Sequence, residues 1–251
     1  MKILYKACLL FFMVLAMLPG AKITSAQNSK NGYSHTDSAA TAVPAEWLAN
    51  TNKIEIHVKG ANIKIKKGNS DTIQMKYYGK ASDENYELVT AVNENRYKIK
   101  LKYKGSGIAP TVIEGGLIVK IPSDSCRLLE INGRGAGIVL SKIHADINLK
   151  TQGCAVAVNN QYSGNQMVID SSGDAYEIKS VPISADFHLK ADGSVVEYKF
   201  TKQPHNLKFK LTGGYAELPE GWKRNFSMGL GRPEMLAEVN HGIFELRIGS
   251  F

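Results

Sequence analysis

The sequence predicts an all-β chain built as a solenoid-like stack of two-strand units of about twenty residues, and three observations lead there. Gly153, Gly173, Gly193 and Gly213 recur at intervals of twenty residues without a slip. Around each of them apolar and polar residues alternate, the pattern of a strand with one buried face. Beyond the N-terminal region, no stretch repeats its apolar residues at the 3.6-residue spacing of an amphipathic helix.

The units follow in order along the chain. Ile54 and Ile56 precede Gly60, and Ile63 and Ile65 follow it. A strongly alternating run, Tyr97 to Tyr103, comes next. Gly135 has Leu129 and Ile131 before it and Ile138 and Leu140 after it, two residues out of phase with the later glycines. The regular units then run Ile147 to Val158, Met167 to Ile178, Phe187 to Tyr198 and Leu207 to Leu218. Each reads as two short strands joined at a glycine, where the bend needs φ > 0 or close backbone approach. One unit cannot bury its apolar face alone, but stacked copies make a continuous core. The constant period favours such stacking over the alternative, an antiparallel β-sandwich of hairpins. Asp146, Gln166, Asp186 and Asn206 each stand just before a strand, where their side chains can satisfy turn backbone groups. The last segment, Gly242 to Ile248, reads as one more strand closing the stack, its bend shifted by one residue.

These Φ-x-Φ-x-x-x-Gly-x-x-Φ-x-Φ units, with the N-terminal Ile54-Glu-Ile-His-Val-Lys-Gly60, resemble the "putative adhesin" family of bacterial β-strand-repeat domains, a domain of unknown function. The resemblance covers roughly residues 50 to 218. It implies an extracytoplasmic, β-solenoid-like domain and carries no catalytic signature.

The N-terminus reads as a secretory signal over residues 1–26. Lys2 and Lys6 precede an apolar run from Ala7 to Leu18, and Thr24-Ser25-Ala26 supplies small residues before a cut. That run falls short of the roughly 20 residues of a permanent span, so after cleavage nothing is expected to hold the chain in a membrane. Residues 27–45 form a polar leader and 46–251 the repeat domain. Loss of Lys2, Lys6 and Lys22 leaves 28 basic against 23 acidic residues, net +5. This is mildly basic and does not suggest a nucleic-acid binder. Cys126 and Cys154 fall at different places in the repeat, so they read as small buried side chains rather than a disulfide.

No nucleophile elbow and no zinc-ligand spacing of histidines occur, and no cofactor is implied. Two rows remain. Glu177, Glu197 and Glu217 each lie four residues after a glycine, so stacking aligns them about 4.8 Å apart. They read first as a solvated strand face balanced by Lys179 and Lys199, and otherwise as a cation site or the acid–base pair of a polysaccharide-cleaving enzyme. The second row is Lys98, Lys100, Lys102 and Lys104, alternating with apolar residues. It is either edge protection or a basic strip for an anionic envelope polymer, a glycan or a host surface. The expected function is thus an exported, non-enzymatic, adhesin-like binding or structural protein of the cell surface, periplasm or medium. The alternative is a carbohydrate-active β-helix enzyme.

Overall fold

A computed structural model describes residues 52–249, apart from residues 71, 80, 82–83, 94–95, 106–114, 123–125, 160–163, 180–184, 201–203 and 231–232. The signal and polar leader expected at 1–26 and 27–45 lie outside the described residues. Alternation gives strands throughout, and no helix occurs among the described residues. In chain order the strands are β1 (Lys53–Lys59), β2 (Asn62–Lys67), β3 (Gln74–Gly79), β4 (Tyr86–Asn93), β5 (Arg96–Tyr103) and β6 (Gly115–Ile121). Then come β7 (Leu128–Arg134), β8 (Gly137–Ser141), β9 (Asp146–Gln152), β10 (Ala155–Asn159), β11 (Gln166–Ser172), β12 (Ala175–Lys179) and β13 (Asp186–Asp192). The chain ends with β14 (Val195–Phe200), β15 (Leu207–Thr212), β16 (Tyr215–Glu217), β17 (Asn225–Met228), β18 (Glu234–Asn240) and β19 (Ile243–Ile248).

The twenty-residue period has a direct meaning. Seven residues of β9 run in one sheet, Gly153 and Cys154 turn the corner, and five residues of β10 run in the other sheet. A connection then returns the chain to β11, where Met167 lies beside Ile147 and Ile169 beside Leu149 in parallel register. Ile169 in turn lies beside Leu189. Parallel pairing between successive units is what a solenoid requires and a sandwich of hairpins forbids. A 10-stranded and a 9-stranded sheet result, each rung giving one strand to each. Between them the alternating residues interlock into one core, with Ile56, Ile63, Ile65, Ile99, Leu129, Val156, Met167, Phe209 and Phe244 fully buried.

The corners explain the repeat glycines. Gly60, Gly135, Gly153, Gly173, Gly193 and Gly213 all have φ between +54° and +69°. At Gly173 a Cβ would meet nothing within 4 Å, so conformation rather than space selects glycine there. Its amide donates to Asp192 O at 2.8 Å, tying one corner to the next.

The order of rungs departs from the order of the chain at both ends. β18 sits between β13 and β15, and β19 between β14 and β16. The last unit therefore does not close the stack but is inserted one rung inside it. The unit carrying Gly213 is the terminal rung, and its free edge is covered by β17, antiparallel to β15. Trp222 stacks on Phe226 with ring centroids 4.5 Å apart over that end. Covering the edge in this way removes an exposed pairing template, and the inner edge of β15 is left for β18. At the other end β1 and β2 lie inside β5 and β6, which β4 and β3 cover antiparallel. The inserted corner also differs: His241, φ 51°, takes the left-handed position, and Gly242 follows because a Cβ there would lie 2.3 Å from Ser194 O.

The pre-strand polar residues do tie rungs together. Asp146 Oδ1 accepts from the amides of Asn165 and Gln166, at 2.7 and 3.2 Å. Asp186 Oδ1 accepts from Glu234 N at 2.8 Å, reaching the inserted rung. Asn206 Oδ1 accepts from Leu230 N at 2.8 Å. Cys126 and Cys154 are buried free thiols. Burial pushes the Cys126 thiol up to about 12 and raises that of Cys154, so neither is a ready nucleophile.

Inside the corners is a polar cluster that the sequence pattern conceals. Buried Asp174 accepts from Thr151 Oγ1 and Ser171 Oγ, both at 2.7 Å, from Cys154 N at 2.6 Å and from Ser172 N at 3.0 Å. Ser194 Oγ accepts from Asp174 N at 3.1 Å. A buried carboxylate with this many donors is satisfied without a counter-cation.

Candidate anion-binding face

Each strand turns every second side chain outward, and stacking converts those residues into rows that cross the strands. On the outside of the 9-stranded sheet, Glu177, Glu197, Glu245 and Glu217 form one row through the pairs of β12, β14, β19 and β16. Glu245 belongs between Glu197 and Glu217, which are therefore not adjacent. Beside this row runs another, Lys179, Lys199 and Arg247. Glu177 is bonded to Lys179 at 2.7 Å and to Lys199 at 3.3 Å. Glu197 meets Lys199 at 2.7 Å and Arg247 at 3.5 Å, and Arg247 also pairs with Glu245. The side chains of Glu177, Lys199 and Glu245 are only 11%, 14% and 6% exposed. This corrects the expectation of a solvated face at Glu177 and Glu197, whereas Glu217 at the end of the row is exposed. Lys199 and Arg247 each bridge two rungs, and the ladder binds the stack to itself.

The outside of the 10-stranded sheet is built differently. Its first row contains Lys98 on β5, Glu55 on β1 and Glu130 on β7. Here charges are matched. Glu55 takes Arg96 at 2.8 Å, Lys98 at 3.2 Å and His57, while Lys53 pairs with Glu130. The hydrogen bond from His57, followed by that from Lys98, holds the Glu55 carboxyl near 2 against the opposing effect of burial.

Two residues further along the strands the matching fails. Lys100, His57, Asn132, Lys150 and Asp170 form the next row, and Lys102, Lys59, Arg134, Gln152 and Ser172 the one after it. They surround a depression of about 500 Å³. Leu101, Val58, Gly133 and Thr151 also line it. These face the core, so they contribute backbone to its floor. Lys59, Lys100, Lys102 and Arg134 are exposed, and no ion pair to any of them is found among the described residues. Lys150 approaches Asp170 at 3.9 Å. Such a cluster of cations favours negative charge.

The predicted lysine strip is thus divided. Lys100 and Lys102 line the depression, Lys98 is held by Glu55, and Lys104 lies beyond the end of β5, its amide donating to Asn85 O at 3.0 Å. Lys59, Arg134 and Lys150 join the group although they were not singled out in the sequence. Only the strand register brings them together. Elsewhere, Lys64 lies 4.3 Å above the Tyr78 ring and Lys208 pairs with Glu234. Among the described residues no group of His, Cys, Asp and Glu is arranged to hold a metal, and no helix is long and apolar enough to cross a membrane.

A two-sheet β-solenoid bearing a paired charge ladder on one outer face and a cationic depression on the other is the class of protein these observations define. The chain belongs to the Toastrack DUF4097 family, which it matches over residues 51–202. That match takes in β1 through β14 and leaves the terminal rung and the inserted β18–β19 unit outside it. No curated protein matches the chain. Among solved structures it is similar to a "putative cell adhesion protein" from Clostridium sporogenes ATCC 15579, with 11% identity and a TM-score of 0.51 over 84% of this chain and 98% of that one. A "putative adhesin" from Bacteroides fragilis NCTC 9343 aligns at 10% identity and TM-score 0.38, covering 79% of this chain and 92% of that one. At these identities the likeness to the first is one of fold.

Proposed function

We propose that this protein is an exported, non-enzymatic, adhesin-like module of the cell surface or periplasm that contacts anionic polymers or glycans through the outer face of its 10-stranded sheet. The observation that carries this reading is the cluster of Lys59, Lys100, Lys102 and Arg134 around an open depression, without acidic partners among the described residues. By contrast, Lys53 and Lys98 on the same sheet and Lys179, Lys199 and Arg247 on the opposite one are each paired with a carboxylate. A shallow, extended, charged surface suits a polymer better than the enclosed site a small molecule needs. The name of the similar Clostridium sporogenes structure, a cell adhesion protein, favours a surface partner. The basic, apolar and small-residue succession of residues 1–26 supports export. The engagement of Glu177, Glu197 and Glu245 by Lys179, Lys199 and Arg247 weighs against acid–base work by the glutamate row.

The test is to titrate the chain with polygalacturonate at low and high salt, beside a variant carrying Lys59→Gln, Lys100→Gln and Lys102→Gln. Wild type is expected to bind and to weaken as salt rises, since exposed charges are screened beyond about 8 Å at physiological ionic strength. The variant should bind much more weakly at every salt concentration. Equal, salt-insensitive binding by both proteins would remove the depression from the mechanism.

A further inference from the structure

We propose that the depression takes an acidic polysaccharide lying along the stack, across the strands, with successive anionic groups seated on Lys102, Lys59 and Arg134. This rests on the reading of that face as an anion site and adds the ligand's direction, repeat and chemistry.

The direction comes from the register. Lys59 on β1 stands between Lys102 on β5 and Arg134 on β7, one cation per rung on three adjacent rungs. Adjacent strands are spaced by about 4.8 Å, so the cations repeat at roughly the length of one sugar unit in an extended chain. A ligand running along a strand meets no such series. On β1 it would pass from Lys59 to His57 and then reach the carboxylate of Glu55. On β5 it would find Lys100 and Lys102, then Lys98 already held by Glu55. Like charges placed side by side on neighbouring strands oppose the fold. A bound polyanion would offset that repulsion on all three rungs together.

The chemistry comes from what continues the row. Beyond Arg134 it passes to Gln152 and Ser172, then to Asp192, and at its other end Glu87 lies beside Lys102. Acidic residues thus bound the row at both ends, and between them cations give way to an amide and a hydroxyl. The parallel row adds Asn132, and Lys150 beside Asp170. Amides and hydroxyls both donate and accept, which matches the hydroxyls of a sugar. A polymer of phosphate alone would leave these acceptors unused. From Lys102 to Ser172 the row crosses five strands, roughly 19 Å at the usual spacing.

The experiment uses oligogalacturonates from the single sugar to about eight units, with inorganic phosphate as the free anion and methyl-esterified oligomers as neutral controls. Affinity is expected to climb with length and level off at about five units, the number of rungs the row spans. Lys59→Gln should weaken the longer oligomers by about tenfold with an unchanged melting temperature, and Lys150→Gln should matter only beyond about three units. Neutral oligomers should bind poorly. If the single sugar or phosphate binds as tightly as the long oligomers and Lys59→Gln weakens all alike, the polymer proposal falls while the anion site stands. If no anion of any length binds, both fall. Equal binding of neutral and acidic oligomers would overturn the charge matching alone.

Discussion

Two outer patches, one on each sheet, are made from the same kinds of residue to opposite effect. On the 9-stranded sheet, Lys179, Lys199 and Arg247 lie one step along the strands from Glu177, Glu197 and Glu245, and each charge finds an opposite one on its own or a neighbouring rung. On the 10-stranded sheet, Glu55 and Glu130 answer only the first row, and Lys59, Lys100, Lys102 and Arg134 are left facing water around a hollow. Charge content alone does not separate a structural ladder from a binding surface. The separation lies in whether the register places a carboxylate within reach of each cation. A half-buried, cross-rung pair contributes to stability when its partner is kept and is costly when it is broken. An exposed, unpaired cation contributes little to folding and is free for a partner.

That difference sets the order of expected effects. Replacing Lys199 by Met should cost most, about 2 kcal/mol by chemical denaturation, because it takes a partner from both Glu177 and Glu197 on a face with little access to water. Glu55→Gln should cost less, about 1 kcal/mol at neutral pH, because its partners Arg96 and Lys98 are about half exposed and regain water when released. Its carboxyl is held near 2 in the folded protein against an ordinary value of 4.5. The stability it supplies is therefore complete above about 4.5 and is lost as pH falls towards 2, and the variant's melting temperature should be less sensitive to pH across that window. The same change releases Lys98 and Arg96, so affinity for polygalacturonate should rise. Lys59→Gln should change stability least, within about 0.5 kcal/mol in either direction. A large loss there would mean that the cationic face is structural after all.

Much of this fold is legible in the sequence, and the gaps have physical reasons. Alternation and the glycines at twenty-residue intervals report the strands and corners directly, because each depends on local backbone geometry. The place of the last unit does not, since parallel partners are chosen by edge availability and not by sequence order. That unit is further disguised by His241, which takes the left-handed corner where the other rungs use glycine. The Asp174 cluster is hidden because Thr151, Ser171 and Ser194 look like ordinary turn residues until the corner encloses them. The lysine strip was visible along β5, where Lys98, Lys100 and Lys102 alternate. Its working part was not, because Lys59 and Arg134 join Lys102 only through the pairing of β1 with β5 and β7.

The most direct test sets the two faces against each other in one experiment. One variant carries Lys59→Gln, Lys100→Gln and Lys102→Gln. The other carries Lys179→Gln, Lys199→Gln and Arg247→Gln, so that both lose three positive charges. Melting temperature and polygalacturonate affinity are measured for each beside the wild type. The first should keep its melting temperature and lose most of its binding; the second should melt lower and, while folded, bind nearly as well as wild type. Equal loss of binding by the two would show that only net charge matters, and would contradict the assignment of the binding face to the 10-stranded sheet.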